Sequence, residues 1–133
     1  MNDYQRKLNI LHNYNNLLLH IDNLVCDYGE LFTKATRTAS QIHDDVGPAN
    51  HDNSSKAETF AILLERKKAE LDKAVAKRQR IDKALENLGV RNKYFVQQVA
   101  IERVSIRRTS DDLKLDYKYS IKLFKKLIER LEI

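Results

Sequence analysis

The stretch that decides the fold is residues 11–42, LHNYNNLLLHIDNLVCDYGELFTKATRTASQI. Apolar or small side chains recur along it in steps that alternate between three and four positions, the spacing of a heptad seam on an α-helix. The members of this first seam are Leu11, Tyr14, Leu18, Ile21, Val25, Tyr28, Phe32, Ala35, Ala39 and Ile42. Leu17, Leu24 and Leu31 widen the stripe on one flank, as in a helix covered by more than one neighbour. The spacing predicts one helix from about Asp3 to about His43.

The pattern stops at residues 43–55, HDDVGPANHDNSS, whose residue types favour turns over helix interiors. We predict a loop at about 44–55, with Ser54 or Ser55 as the N-cap of the next helix. Gly89 stands where the end of that helix favours a positive φ. A second seam lies between them: Phe60, Leu64, Lys67, Leu71, Ala74, Arg78, Ile81, Leu85 and Leu88. Residues 1–88 are therefore expected to form a long antiparallel hairpin, which either closes on the C-terminal part or dimerises.

The positive charge of the chain is concentrated in its last third. The 133 residues carry a formal net charge of +5, from 24 Lys and Arg and 19 Asp and Glu. Residues 1–88 hold 13 of each sign, whereas residues 89–133 hold 11 basic and 6 acidic side chains. A local cationic excess attracts polyanions because binding releases their counterions. With 3 Gly and 1 Pro to interrupt helices, the composition predicts an all-α protein.

The sequence contains no pattern typical of an active site, and no cofactor is expected. Cys26 is the single cysteine, which excludes an internal disulfide and fits a reducing, cytoplasmic setting. No signal-peptide core or apolar stretch of ~20 residues is found, so no membrane contact is predicted. No helix fixes the His and Asp side chains of the 43–55 run at ligand spacing, so we predict a solvated turn and no metal site. These side chains are His43, Asp44, Asp45, His51 and Asp52.

Residues 89–133 predict a small basic domain of three helices. The first covers about Arg91 to Val104. The second is expected to be capped by Thr109 or Ser110, to carry two Asp in its first turn and to end near Leu115. The third is expected to begin at the N-cap Ser120. A cap, a short helix, a turn and a longer basic helix follow the plan of a helix-turn-helix.

Two motifs in this domain resemble those of a known family. Thr109-Ser110-Asp111-Asp112-Leu113 is similar to a Thr-x-Glu-Glu-Ile opening of the first helix, and Lys118-Tyr119-Ser120 is similar to an x-Tyr-Ser entry into a recognition helix. Both occur in the small late-transcription regulators of phages of Gram-positive bacteria, the RinA/ArpU-like group, whose C-terminal halves resemble region 4 of sigma-70-type factors. The long upstream hairpin also matches that family in order and length.

The chain departs from the family pattern at three points. Arg107 replaces a Gly before the first helix, Lys114 replaces a small residue midway in that helix, and Asp116-Tyr117 replaces a Gly in the turn. Small residues at such points let two helices approach each other closely.

The resemblance implies a phage-encoded, DNA-binding transcription regulator of late genes, acting in the bacterial cytoplasm. Its hairpin would mediate homodimerisation or contact with host RNA polymerase. The predicted contacts to double-stranded DNA are Arg107, Arg108, Lys118, Tyr119, Ser120, Lys122, Lys125 and Lys126. Of these, Ser120 and Lys122, with Tyr119, are expected near base edges, and the others at the phosphate backbone.

This interpretation requires that Ser120 begin its helix and that Lys122 and Lys126 point away from the hairpin. The open alternative is a coiled-coil adaptor whose basic end docks on an acidic partner without binding DNA.

Overall fold

A computed structural model describes the backbone of residues 2–44 and 51–133 and the side chains of residues 2–37 and 56–133. All regular structure in these residues is helical, which confirms the all-α class. The elements are α1 (Asp3–His12), α2 (Tyr14–Asp44), α3 (His51–Glu86), α4 (Val90–Val96), a π-helical segment (Gln97–Ile101), α5 (Ile106–Asp112) and α6 (Tyr117–Arg130).

The predicted loop at 44–55 is only partly within the described residues. Because α3 begins at His51, Ser54 and Ser55 lie inside a helix, and their prediction as N-caps is wrong. The side chains weighed as metal ligands in the 43–55 run lie outside the described residues.

The chain divides into two compact units. Unit 1 consists of Met1–Leu18 and Ala76–Ile133, and unit 2 consists of Leu19–Val75. This division differs from the predicted boundary at residue 88. The reason is that α1 and the last turns of α3 supply part of the core around the C-terminal helices.

The core of unit 1 is built around α6, which packs against α1, α4 and α5. Phe95 of α4 and Phe124 of α6 meet edge to face, with ring centroids 5.8 Å apart and an interplanar angle of 84°. Such a pair adds about 0.5–1.5 kcal/mol beyond the burial of its area. The buried cluster consists of Leu11, Ile81, Ala84, Leu85, Phe95, Val96, Ala100, Ile101, Phe124, Leu127, Ile128 and Leu131.

A buried lysine joins α1 to the end of α6. Lys7 is 8% exposed, and its Nζ donates to the backbone oxygen of Glu129 at 2.8 Å. A cation is favourable there because the last carbonyls of a helix have no partner within the helix. Lys7 Nζ also lies 3.2 Å from Asp3 Oδ2, while hydrogen bonds from Arg6 and then Lys7 lower the pKa of Asp3.

The first long helix is interrupted once, so the prediction of a single helix from Asp3 to His43 is wrong in this detail. Asn13 separates α1 from α2 with φ −95° and ψ 6°. Its side-chain Nδ2 donates to the backbone oxygen of Asn9 at 2.9 Å, the oxygen that its own N–H also binds at 3.1 Å. Asn favours such local bonds to the backbone, which compete with regular helix geometry.

The first predicted seam combines two different stripes of α2. Val25 and Phe32 are 53% and 56% exposed, so this part of the predicted seam is not buried within the chain. In unit 2, α2 instead buries or half-buries a stripe that includes two residues predicted only as a flank. Its members are Ile21, Leu24, Tyr28, Leu31 and Ala35.

The second seam is confirmed along α3. Ala74, Ile81 and Leu85 are buried, and the other predicted members are half-buried. Lys67 belongs to this seam and its Nζ lies 3.7 Å from Asp27 Oδ2 on α2. Gly89 has the expected positive φ of 82° and lies between α3 and α4.

The hydrogen bond of the Tyr14 hydroxyl predicts a specific loss of stability at alkaline pH. Its hydroxyl donates to Asp82 Oδ1 at 2.6 Å, and burial followed by this bond raises the pKa of Tyr14 to about 12. Because the unfolded chain releases this proton near pH 10, the bond stabilises the fold fully below that pH and its contribution falls between about pH 10 and 12. Denaturant unfolding across this range should show a steeper decline for the wild type than for Tyr14→Phe. Parallel declines would contradict the assignment.

Candidate nucleic-acid interface

The helix α5 begins four residues earlier than the sequence predicts. Its N-cap is Ser105, whose side chain accepts from the backbone N–H of Arg108 at 3.2 Å. Thr109 and Ser110, predicted as caps, are fully buried inside the helix. Their hydroxyls donate back to the oxygens of Ser105 and Ile106, as Ser and Thr do within helices. The two following Asp residues therefore lie at the end of α5 and not in its first turn.

The connection from α5 to α6 is a four-residue turn, 113–116, that begins with a Schellman cap. The N–H of Lys114 binds the oxygen of Asp111 at 3.1 Å, and the N–H of Leu115 binds the oxygen of Ser110 at 2.9 Å. These two bonds satisfy carbonyls that the helix end leaves free. Lys114 adopts the left-handed conformation that this cap requires, with φ 57°.

The helix α6 also begins earlier than predicted. Asp116 is its N-cap, and the Asp116 carboxylate accepts from the N–H of Tyr119 at 3.1 Å. Ser120 is the fourth residue of α6, fully buried, and its hydroxyl donates to the oxygen of Asp116 at 2.8 Å. Ser120 therefore cannot contact a base edge, and its predictions as an N-cap and as a DNA contact are both wrong.

The outer side of α6 is a row of exposed lysines, which we call the lysine face: Lys118, Lys122, Lys125 and Lys126. Their spacing places them opposite the buried Phe124, Leu127 and Ile128. Within the described part of the chain, none of the four ammonium groups takes part in an ion pair. Tyr119, 50% exposed, lies on one flank, and a shallow groove runs along Tyr119, Lys122, Leu123, Lys125, Lys126 and Glu129.

The two predicted arginines lie in the first turn of α5 and are exposed. The guanidinium carbon of Arg107 is 4.9 Å from the centre of the Tyr117 ring, a cation–π contact that holds it beside the start of α6. No sequence pattern indicates this contact, because the two residues are ten positions apart and meet only through the turn. Arg108 is also exposed, and its backbone N–H donates to the Ser105 side chain that caps the helix.

Carboxylates border the lysine face at both ends. Asp116 is exposed at the N-terminus of α6, and Glu129 is exposed near its C-terminus. Asp111 and Asp112 are exposed at the end of α5. The positive surface is therefore a limited patch of α6, and any polyanion bound there would approach the Asp116 carboxylate.

Comparison with protein families, with curated proteins and with solved structures finds no match to this chain. Among the described residues, no cluster of three or more His, Cys, Asp or Glu is arranged to hold a metal ion. The same part of the chain has no helix that combines the length and apolar character needed to cross a bilayer.

The left-handed conformation of Lys114 predicts that glycine is the more stable residue at this position. A residue with a Cβ costs about 1 kcal/mol more than Gly in the left-handed region, so Lys114→Gly should be more stable than Lys114→Ala by about that amount. Chemical denaturation of both variants measures the difference. Lys118, which is exposed in the first turn of α6, is the matched control, and there the Gly variant should be the less stable one. An equal or reversed order at Lys114 would contradict the cap.

Proposed function

We propose that this chain binds double-stranded DNA through the lysine face of α6 and acts as a transcription regulator of the phage late-regulator type. The observation that carries the proposal is the row of four unpaired, exposed lysines on a helix whose opposite side is buried. Such a helix can enter a major groove, with its ammonium groups at phosphates and the side chains of its N-terminal half near base edges.

The arrangement of α5 and α6 supports a helix-turn-helix. Two packed helices joined by four residues follow its plan. The earlier start of α5 changes which residues lie midway in that helix and in the turn, where the family has small residues and Gly. The residues midway in α5 are the small, buried Thr109 and Ser110, and the left-handed position of the turn, which favours Gly, is taken by Lys114. The resemblance to the RinA/ArpU-like group remains part of this proposal.

The loss of Ser120 from the surface changes the proposed contacts but leaves the lysine face intact. Ser120 does not begin a helix, so the sequence interpretation fails in its original form, and the proposal rests instead on the exposure of Lys122 and Lys126. Because α6 begins at Tyr117, its exposed first turns carry Lys118, Tyr119 and Lys122. We therefore assign base contacts to Tyr119 and Lys122, and phosphate contacts to Lys118, Lys125, Lys126 and the two arginines of α5.

The long helices are proposed to form the antiparallel hairpin. Two contacts between α2 and α3 support it: Tyr14 with Asp82, and Asp27 with Lys67. The first contact lies within unit 1 and the second within unit 2, so in each unit the two helices lie side by side, as the arms of a hairpin do. In this proposal the hairpin serves dimerisation or contact with host RNA polymerase.

The double variant Lys122→Ala/Lys126→Ala tests DNA binding directly. Fluorescence anisotropy of a labelled random-sequence duplex, titrated at several salt concentrations, should show weaker binding. The slope of log K against log salt should fall by about one, since Lys126 is the one of the two assigned to a phosphate and each phosphate contact contributes about 0.9. Lys73→Ala/Lys77→Ala is the matched control, because these exposed lysines on α3 have the same spacing but lie off the lysine face. Equal affinity and slope in the wild type and the lysine-face variant would overturn the proposal.

Asp116→Asn separates folding from binding. Asn caps a helix about as well as Asp, so the free energy of unfolding should change by less than about 0.5 kcal/mol. Removing the carboxylate beside the lysine face should tighten duplex binding by about two- to fivefold at low salt. Asp116→Ala is the companion variant, which should lose about 1 kcal/mol of stability with the cap. Unchanged affinity in Asp116→Asn would place the DNA elsewhere on the surface.

The carboxylates at both ends limit the lysine face to a short positive patch, which fits a short acidic segment of a partner better than a long polyanion, and this favours the adaptor alternative. In that case a polyglutamate probe would bind in a salt-dependent way and a DNA duplex would not. The two probes, titrated under the same conditions, discriminate between the functions.

A further inference from the structure

Besides its buried stripe, the helix α2 carries an exposed row of residues at heptad spacing, which unit 2 does not bury. It consists of Asp22, Val25, Gly29, Phe32 and Thr36, in steps of three, four, three and four, and we call it the outer seam. All five residues are exposed, with Val25 at 53% and Phe32 at 56%. The spacing is that of a helix packing on another helix through heptads. The outer seam is thus an exposed helix face with heptad spacing, and Val25 and Phe32 are its apolar members.

Gly29 is a glycine that the chain itself does not require. It lies in the middle of the 31-residue helix α2, and a Cβ built there would meet no atom within 4 Å. Its φ is not positive, since Gly89 alone among the described glycines has that conformation. Glycine weakens a helix interior relative to almost any other residue. Neither backbone conformation nor crowding within the chain accounts for it, whereas close approach of a second helix would.

The outer seam is complementary to itself when two copies run antiparallel. In the register that sets Phe32 of one copy opposite Gly29 of the other, two-fold symmetry repeats the contact, so each aromatic ring fills the space beside a glycine. The same register sets Val25 opposite Thr36. Asp22 lies at one end of the seam, and the exposed Arg37 lies just beyond the other end. Antiparallel pairing in this register sets Asp22 two positions along the helix from the partner's Arg37, so the opposite charges lie near each other at both ends.

We propose that two copies of this chain associate through the outer seams of their α2 helices, antiparallel and with Phe32 seated on Gly29 of the partner. Charge complementarity and the fit of large to small residues select a second copy as the occupant, because both features are reciprocal within one sequence. The proposal assigns residues and a register to the dimer and does not depend on DNA binding.

Sedimentation equilibrium of the full chain measures the dissociation constant. The wild type is expected to dimerise, and Phe32→Ala should raise the constant by about tenfold or more, as removal of a central aromatic anchor does. Leu19→Ala is the matched control: Leu19 is 60% exposed on α2 but lies off the outer seam, and its loss should leave the constant unchanged. A wild type that stays monomeric at high concentration, or a dimer insensitive to Phe32→Ala, overturns the proposal.

Two further variants distinguish the interface from an effect on folding. Gly29→Gln should raise the melting temperature of the monomer, since Gln is the better helix former, and yet weaken the dimer. Asp22→Arg and Arg37→Asp should each weaken the dimer, and the double reversal should restore it. Glu102→Arg, an exposed reversal in unit 1, controls for net charge. Failure of the double reversal to restore association would contradict the antiparallel register. Loss of DNA binding in the lysine-face variant would leave all these results unchanged.

Discussion

Phe124, Leu127 and Ile128 are buried where α6 packs on α1, α4 and α5, and this burial holds α6 in one orientation about its axis. Helical periodicity then determines what the opposite side presents. Since residues three, four and seven positions apart share a face, one fixed apolar stripe turns Lys118, Lys122 and Lys125 to solvent together. The candidate interface therefore needs no special backbone geometry of its own. It follows from hydrophobic contacts on the other side of the helix.

The ends of the two short helices are set by local bonds that reinforce this packing. Ser105 caps α5 and Asp116 caps α6, each through the N–H three residues later. Between them, the Schellman bonds at Lys114 end α5, and the chain enters α6 after four residues. The small buried side chains of Ser110 and Ser120 bond to their own helices, so burying them leaves no hydroxyl unpaired. The capping bonds and the pattern of burial therefore indicate the same start for each helix.

The all-α class and the seam of α3 could be predicted from the sequence, because the α3 seam is a single stripe with one period. The seam of α2 was more difficult to interpret. Its buried and outer stripes are offset by one residue, so picking alternate members of each also yields regular steps of three and four. Ile21 and Tyr28 belong to one stripe, and Val25 and Phe32 to the other. The two stripes differ in burial, which depends on what packs against each side of the helix and not on their spacing in the sequence.

The candidate site was predicted less well, for a related reason. Ser105 and Thr109 are one helical turn apart, as are Asp116 and Ser120, and each residue has the chemistry of an N-cap. Local propensity does not choose between such candidates. The choice was made by the core, which buries Thr109 and Ser120 and so moves both helix starts one turn earlier. The lysines and arginines were placed on the surface correctly because their exposure depends on the apolar stripe and not on the cap.

The composition of unit 1 from two distant parts of the chain has a consequence for biosynthesis. Lys7 binds the oxygen of Glu129, 122 positions later, and Leu11 shares a core with Leu131. On the ribosome, α1 emerges long before α6, and the closing of so long a loop cannot begin until α6 has been synthesised. Until then the nascent chain carries the side of α1 that packs on α6 uncovered, as a binding site for chaperones. Slow translation of residues 117–133 would prolong that exposure.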